Sequence, residues 1–332
     1  MATLSVTNPT LLDLAKATDP DGSIADVVEI LNETNEILDD MTWLEGNLQT
    51  GHKTTIRSGL PTPTWRKLYG GVQPNKGRTV QVTDNCGMLE AYAEVDKALA
   101  DLNGNTAAFR LLEDRAHIEG INQELADTLF YGNESTEPEA FTGLSARFND
   151  LSADNAENII VGGGAGSDNA SIWLIVWGPN TCHGIVPKGS KAGLQVTDKG
   201  QVTIEDVDGN GGRMEAYRTH YRLDAGLSVR DWRYIVRIPN IDKSALTKDA
   251  ASGADLPDLM FQAMNQIPNL NMGRAAFYMS RNTMSFVRRQ VANATSGSTL
   301  TIDNVGGKMV TSFQGIPMRR VDALAADEAL VS

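Results

Sequence analysis

The chain has 332 residues, 41% hydrophobic and 21% charged, with a formal net charge of −13. That length exceeds a single compact core, and that composition excludes a disordered chain. The acidic balance excludes a surface that grips nucleic acid throughout, because phosphates would be repelled; it suits a wall beside nucleic acid that does not adhere.

Residues 1 to 22 are polar and carry Pro9 and Pro20, which predicts an extended arm with little core of its own. The start MATLSVTNPT lacks a basic stretch before an apolar run, so no signal peptide is expected. Ser23 opens a predicted helix, with Asp26 at the capping-box position and Ile24, Val27, Val28, Leu31 and Leu38 as its apolar stripe. Residues 1 to 45 therefore read as an N-terminal arm and a first helix.

Residues 46 to 87 read as an extended two-stranded loop. Short alternating stretches, Lys53–Arg57 and Thr79–Thr83, flank a tip that holds Pro61, Pro63, Pro74 and several glycines. Lys53, Arg57, Arg66, Lys67, Lys76 and Arg78 lie in this loop, with no acidic residue between Gly46 and Val82. A basic arm on an acidic body favours docking between copies of the chain. A solvated loop is the plainer reading, but Trp65 and Tyr69 near the tip favour a partner surface, because large aromatics seldom stay exposed without one. These eight residues are the candidate inter-subunit contacts.

Asn105 to Gly132 predicts a helix of some 26 residues, about 39 Å long. Leu111, Ile118, Ile121, Leu125 and Leu129 fall on one face, broken by Asp114, while Glu113, His117, Glu124 and Asp127 fall opposite. Asn105 or Thr106 caps its start and Gly132 ends it. It reads either as a core helix or as a spine bracing an elongated subunit.

Strand patterns begin near Asn158. Ile172–Trp177 reads as a central strand, apolar on both faces and far too short to span a bilayer. Gln201–Val207 and Arg213–Leu223 read as a hairpin, and Trp232, Tyr234, Val236 and Ile238 alternate along a further strand. A helix follows Asp255, with Pro257 at an early position. Ala275–Met279 is a strand, Ser280 caps the next helix, and Met309–Phe313 and Pro317–Val321 are closing strands. Sheet and helix mix without a regular βαβ beat, so the fold class is α+β.

No chemistry-bearing motif survives inspection. Val161 to Gly166 is glycine-rich but lacks the terminal Gly-Lys-Ser/Thr of a phosphate loop, and reads as a flexible surface turn. Asp206, Asp208, Asn210 and Gly211 open like a calcium loop, but Tyr217 stands where the bidentate glutamate belongs; a hairpin turn fits better. Cys182 and His183 are neighbours and point to opposite faces of a strand, a poor geometry for nucleophilic catalysis. The two cysteines make no disulfide framework, which points to a reducing compartment. The histidines show no metal-ligand spacing. No catalytic residue, metal site or cofactor is expected.

Four stretches carry a resemblance: Trp177 to Gly200, Asp231 to Asp242, Phe277 to Met284, and Phe313 to Leu324, the last with Gly315-Ile316-Pro317 followed by Val321-Asp322. They resemble the major capsid proteins of short-tailed, double-stranded DNA bacteriophages, with the shell fold shared by tailed phages and herpesviruses. The resemblance implies a peripheral domain at 88–157 built on a spine helix at 105–132, and a mainly axial domain at 158–332. It implies an extended loop that overlaps a neighbour, and an icosahedral shell of pentamers and hexamers. The implied partners are a portal, a decoration protein and a separate scaffolding protein, since the N-terminal arm is too short to be a cleaved scaffolding segment. Packaged DNA would lie alongside without specific contact, assembly would occur in the host cytoplasm, and no membrane is involved. Some such shells cross-link lysine to asparagine; Lys53, Lys67 and Lys76 are in the corresponding loop, but no residue here marks such a bond. The rival readings are a hydrolase-like α+β enzyme with an unrecognised site, and a tail or baseplate structural protein.

Overall fold

The structure, a computed structural model, describes residues 33, 35–102, 106–205, 211–293, 300–305, 308–325 and 327–332. The arm, most of the first predicted helix, the cap at Asn105 and the candidate calcium residues Asp206, Asp208 and Asn210 lie outside these.

In chain order the elements are α1 (Ile37–Asp40), β1 (Trp43–Glu45), β2 (Gly51–Gly59), β3 (Arg78–Asp96), α2 (Lys97–Asp101), α3 (Thr106–Tyr131), α4 (Leu144–Arg147), β4 (Asn169–Trp177), β5 (Cys182–Val186), β6 (Gln195–Glu205), β7 (Arg213–Val229), β8 (Ile235–Asp242), α5 (Leu256–Gln266), β9 (Arg274–Met279), α6 (Arg281–Asn293), β10 (Leu300–Val305), β11 (Lys308–Phe313) and β12 (Ile316–Arg320). The class is α+β. The described residues form two compact units, one from those within 33–34, 88–126 and 193–224, the other from those within 35–87, 127–192 and 225–332.

The larger unit is built on β4, every residue of which is buried. It pairs antiparallel with β8 and with β9, and at Trp177↔Cys182 it meets β5 in parallel. The order continues from β9 through β12 and β11 to β10, and from β5 to the last residues of β7. A strand covered on both sides must be apolar on both, which explains the unbroken run that identifies it in the sequence. One face, with Ile172, Leu174 and Val176, packs in a cluster with Met260, Phe277 and Val287. The helices of that cluster start on local chemistry: the Asp255 carboxylate accepts from the Asp258 N–H, and Ser280 Oγ accepts from the Thr283 N–H.

The other face of β4 holds its two tryptophans. Trp173 has Phe130 and Phe148 at ring distances of 6.1 and 6.0 Å, and the Arg237 guanidinium lies 5.1 Å over it. Arg237 donates to Glu328 at 2.7 Å and to the Phe148 carbonyl at 2.8 Å. Ser171 and Tyr131 donate to the same carboxylate. Trp177 donates to Tyr278, which donates to the buried Asp40, itself 2.9 Å from Arg319.

Two sequence expectations change here. The alternation from Trp232 does not begin a strand: Trp232–Tyr234 is a single 3-10 turn, and β8 is buried through Ile241. Arg237 is inside because Glu328 neutralises it. The glycines at 162–164 are not a flexible turn. Their backbone lies against β8, with N–H bonds from Gly162 to the Pro239 carbonyl and from Gly164 to the Asn240 carbonyl. A Cβ on Gly164 would stand 2.6 Å from that Asn240 oxygen, so the residue is required by close approach.

In the smaller unit β6 and β7 pair antiparallel from Gln195↔Arg222 to Glu205↔Arg213, extending the hairpin seen in the sequence. Tyr217, Thr219 and Tyr221 face α3: Arg110 lies 5.1 Å over Tyr217 and pairs with Asp198 at 2.7 Å, and His117 stacks on Tyr221 at 6.1 Å. Arg218 and His220 face the other way, to Glu94 and Tyr92 of β3. The apolar stripe of α3 is therefore only half covered. Ile121, Leu125 and Leu129 are buried, with Ala126 and Phe130 beside them, but Leu111 is 53% and Ile118 42% exposed. The physical reason is that the N-terminal half of α3 turns a different side inward: Phe109 is buried with Val95 and Ala100, and Arg110 and His117 meet Tyr217 and Tyr221 of β7.

Three outcomes test this packing. Ile121→Asp buries an unpaired carboxylate, which costs several kcal/mol against a total stability of about 5–15 kcal/mol, and should give insoluble or unfolded chain. Ile118→Asp, on the same stripe but exposed, should melt within a few degrees of wild type by circular dichroism. Arg237→Met leaves the Glu328 carboxylate buried without its counter-charge and should cost about 3–5 kcal/mol in denaturant titration.

Candidate inter-subunit surface

The basic residues of the sequence lie on a hairpin. β2 and β3 pair antiparallel from Gly51↔Asn85 to Gly59↔Arg78, with a register shift between Arg57 and Gly59. Alternation along β2 puts Lys53, Thr55 and Arg57 on one face and Thr54 and Ile56 on the other, where their partners are Val82 and Val80. The hairpin thus has a basic face and an apolar face. Lys53, Arg57, Trp65, Arg66, Lys67, Tyr69, Lys76 and Arg78 are all exposed.

Between the strands, residues 60–77 form a tip whose apolar side chains are uncovered. Trp65 and Tyr69 are fully exposed, at 102% and 103%, and Leu68 and Leu60 follow at 88% and 78%. Tyr69 sits at φ +62° in a turn closed by the Gly70 N–H on the Lys67 carbonyl. An aromatic residue in the left-handed region carries a local cost, a common mark of a functional position. Leu60, Leu68 and Val72 escaped the sequence reading, because a Pro/Gly-rich segment has no periodicity to flag them; their signal is apolar residues in a stretch without a core face.

The root of the hairpin is held firmly. Asn47 imitates a strand neighbour: its amide donates to the Lys53 carbonyl at 2.8 Å and its Oδ1 accepts from the Lys53 N–H at 2.7 Å. Gly51 is pressed on β3, and a Cβ there would lie 2.1 Å from the Asp84 carbonyl oxygen. The Asp84 side chain is buried and accepts from Arg147 at 2.9 Å and from Ser228 at 2.8 Å. Arg147 also donates to the Thr142 and Leu227 carbonyls. Beside this anchor His52 and His183 meet edge to face, with ring centroids 5.7 Å apart. Burial is the main cause that holds both imidazoles below the ordinary histidine range, and Arg230 adds to it. Burial likewise pushes the Cys182 thiol up, so it is a packed sulfur and not a nucleophile.

Among the described residues, no group of three or more His, Cys, Asp and Glu is placed to hold a metal ion, and no helix is long and apolar enough to cross a membrane. What the geometry offers is a contact surface, with cations and bare apolar side chains on an arm that its root keeps in place.

A family model described as major capsid protein GP7 matches residues 19–332. The structure of bacteriophage Epsilon15 contains a chain 43% identical to this one, aligned over 100% of both chains with a TM-score of 0.79. The bacteriophage JBD30 capsid is similar at 10% identity over 96% of this chain and 99% of its own, with a TM-score of 0.48. The capsid of a native GTA particle is similar at 9% identity over 68% and 95%, with a TM-score of 0.45. A search of curated proteins finds no match. The match over nearly the whole chain excludes the hydrolase reading, and the chain belongs to the family of major capsid protein GP7, structural subunits of the tailed-phage shell.

Proposed function

We propose that the hairpin at residues 46–87 is the element by which one subunit overlaps its neighbour in the shell. The observation that carries this is the tip, where Trp65 and Tyr69 are completely uncovered beside Leu60 and Leu68. Exposed apolar clusters of this kind belong to interaction surfaces. The six cations of the arm would meet the acidic remainder of a second copy, which favours encounter and sets orientation more than it adds affinity. Residues 88–157 with α3 would form the peripheral domain and residues 158–332 mainly the axial domain, which meets its copies in pentamers and hexamers. A portal and a separate scaffolding protein, with a decoration protein outside, complete the particle, which assembles in the host cytoplasm. Acidic charge along the inner wall would let packaged DNA slide.

Replacing residues 60–77 with an Asn-Gly turn should leave the thermal melt of the chain near wild type, because the tip adds nothing to the core. Closed shells should then be absent from electron micrographs of the chain co-expressed with its scaffolding protein. Shells of normal yield from this variant would refute the docking role. The paired reversal Arg66→Glu with Lys67→Glu should slow assembly, and the assembly rate of the variant should depend less on salt than that of wild type, since screening acts on the lost attraction.

A further inference from the structure

We propose that His52 and His183 form an acid-sensitive latch at the root of the hairpin. His52 is the second residue of β2 and 9% exposed; His183 lies on β5 and is 1% exposed. Their hydrogen bonds fix the proton on each ring. Arg230 Nη2 lies 3.4 Å from His52 Nε2. A guanidinium has donors and no acceptor, so His52 Nε2 must supply a lone pair, and its proton sits on Nδ1. His183 Nδ1 lies 3.3 Å from the Gly184 carbonyl, which accepts, so that nitrogen carries the proton and Nε2 the lone pair.

Both rings are thereby held neutral. A second proton on His52 would land on Nε2, break the Arg230 hydrogen bond and set two positive charges face to face. A second proton on His183 would land on a buried nitrogen without a hydrogen-bond partner among the described residues. The charged groups facing the pair are Arg230, beyond the end of β7, and Asp84 on β3. Asp84 favours protonation, but its carboxylate already accepts from Arg147 and Ser228. The folded root binds fewer protons than the opened one, so it is favoured above the ordinary histidine pKa and loses that advantage as pH falls. Acid therefore frees the hairpin at its base, where β2 and β5 meet. This is a property of the single chain and stands whether or not the tip docks on a neighbour.

Hydrogen exchange of the unassembled full chain tests it, with rates corrected for intrinsic pH dependence. Between about pH 7.5 and pH 5, a window that spans the ordinary histidine pKa, the amides of residues 51–56 and 80–86 should lose protection several-fold, as the opened root takes up protons that the folded root excludes. Retained protection at the lower pH would overturn the latch. The double variant His52→Gln with His183→Gln has no titrating ring and should keep its protection; an unaltered loss would place the acid response elsewhere. Arg230→Gln keeps an amide donor and removes the facing charge, so the loss of protection on acidification should shrink, and an undiminished loss would contradict the geometry.

Discussion

Everything in the larger unit hangs on the burial of β4 from both sides. A strand with neighbours in the sheet and side chains covered above and below has no exchange with water, so its residues must be apolar and its backbone fully paired. Ile172–Trp177 is apolar throughout and pairs with β8 and β9, while Asn169 and Ser171 at the start of the strand are buried with hydrogen bonds to the Gly166 carbonyl and Glu328. One face makes the helical core with Met260 and Val287. The other is polar at its edges yet dry, because Arg237 and Glu328 neutralise each other against Trp173. A buried pair of this kind adds little net stability over an apolar alternative, but it penalises every arrangement in which one partner is alone. Residues far apart in the chain, Ser171, Arg237 and Glu328, are thereby tied to one arrangement.

The hairpin follows the opposite logic. Its root spends hydrogen bonds and an ion pair on position: Asn47 extends the ladder, Gly51 allows strand contact, and Asp84 is clamped by Arg147 and Ser228. Its tip leaves Trp65, Leu68 and Tyr69 in water. At about 25 cal/mol per Å2 of apolar surface, uncovered aromatics are a reserve of binding energy that folding leaves unused. A firm root reduces the ordering cost of contact, and the bare tip supplies the gain. For a subunit of a shell, where each contact is repeated in every copy, that division suits assembly.

Much of this was legible in the sequence. Unbroken apolarity located β4, alternation located β7, and the charge and Pro/Gly pattern located the hairpin, because each reflects a local constraint. What failed was non-local. Leu111 and Ile118 belong to the same helical stripe as Ile121, and nothing in the helix says that its N-terminal half buries Phe109 and turns Arg110 and His117 to β7 instead. Nothing near Arg237 in the chain shows that Glu328, 91 residues away, is its partner. The glycines at 162–164 look loose until β8 lies against them. Strand β10 has no strong alternation and was missed, and β3 runs to Asp96, well past Thr83, because pairing carries it on. The root of the hairpin was illegible for the same reason: Asp84, Arg147 and His183 belong to separate segments.

The central claim is that the uncovered tip becomes an interface in the shell. A reconstruction of the assembled particle by electron cryomicroscopy tests it most directly. The account predicts that Trp65 and Tyr69 are buried against a neighbouring copy, with Arg66 and Lys67 beside that copy's carboxylates. A shell in which residues 60–77 project into solvent, touching no other copy, would contradict it.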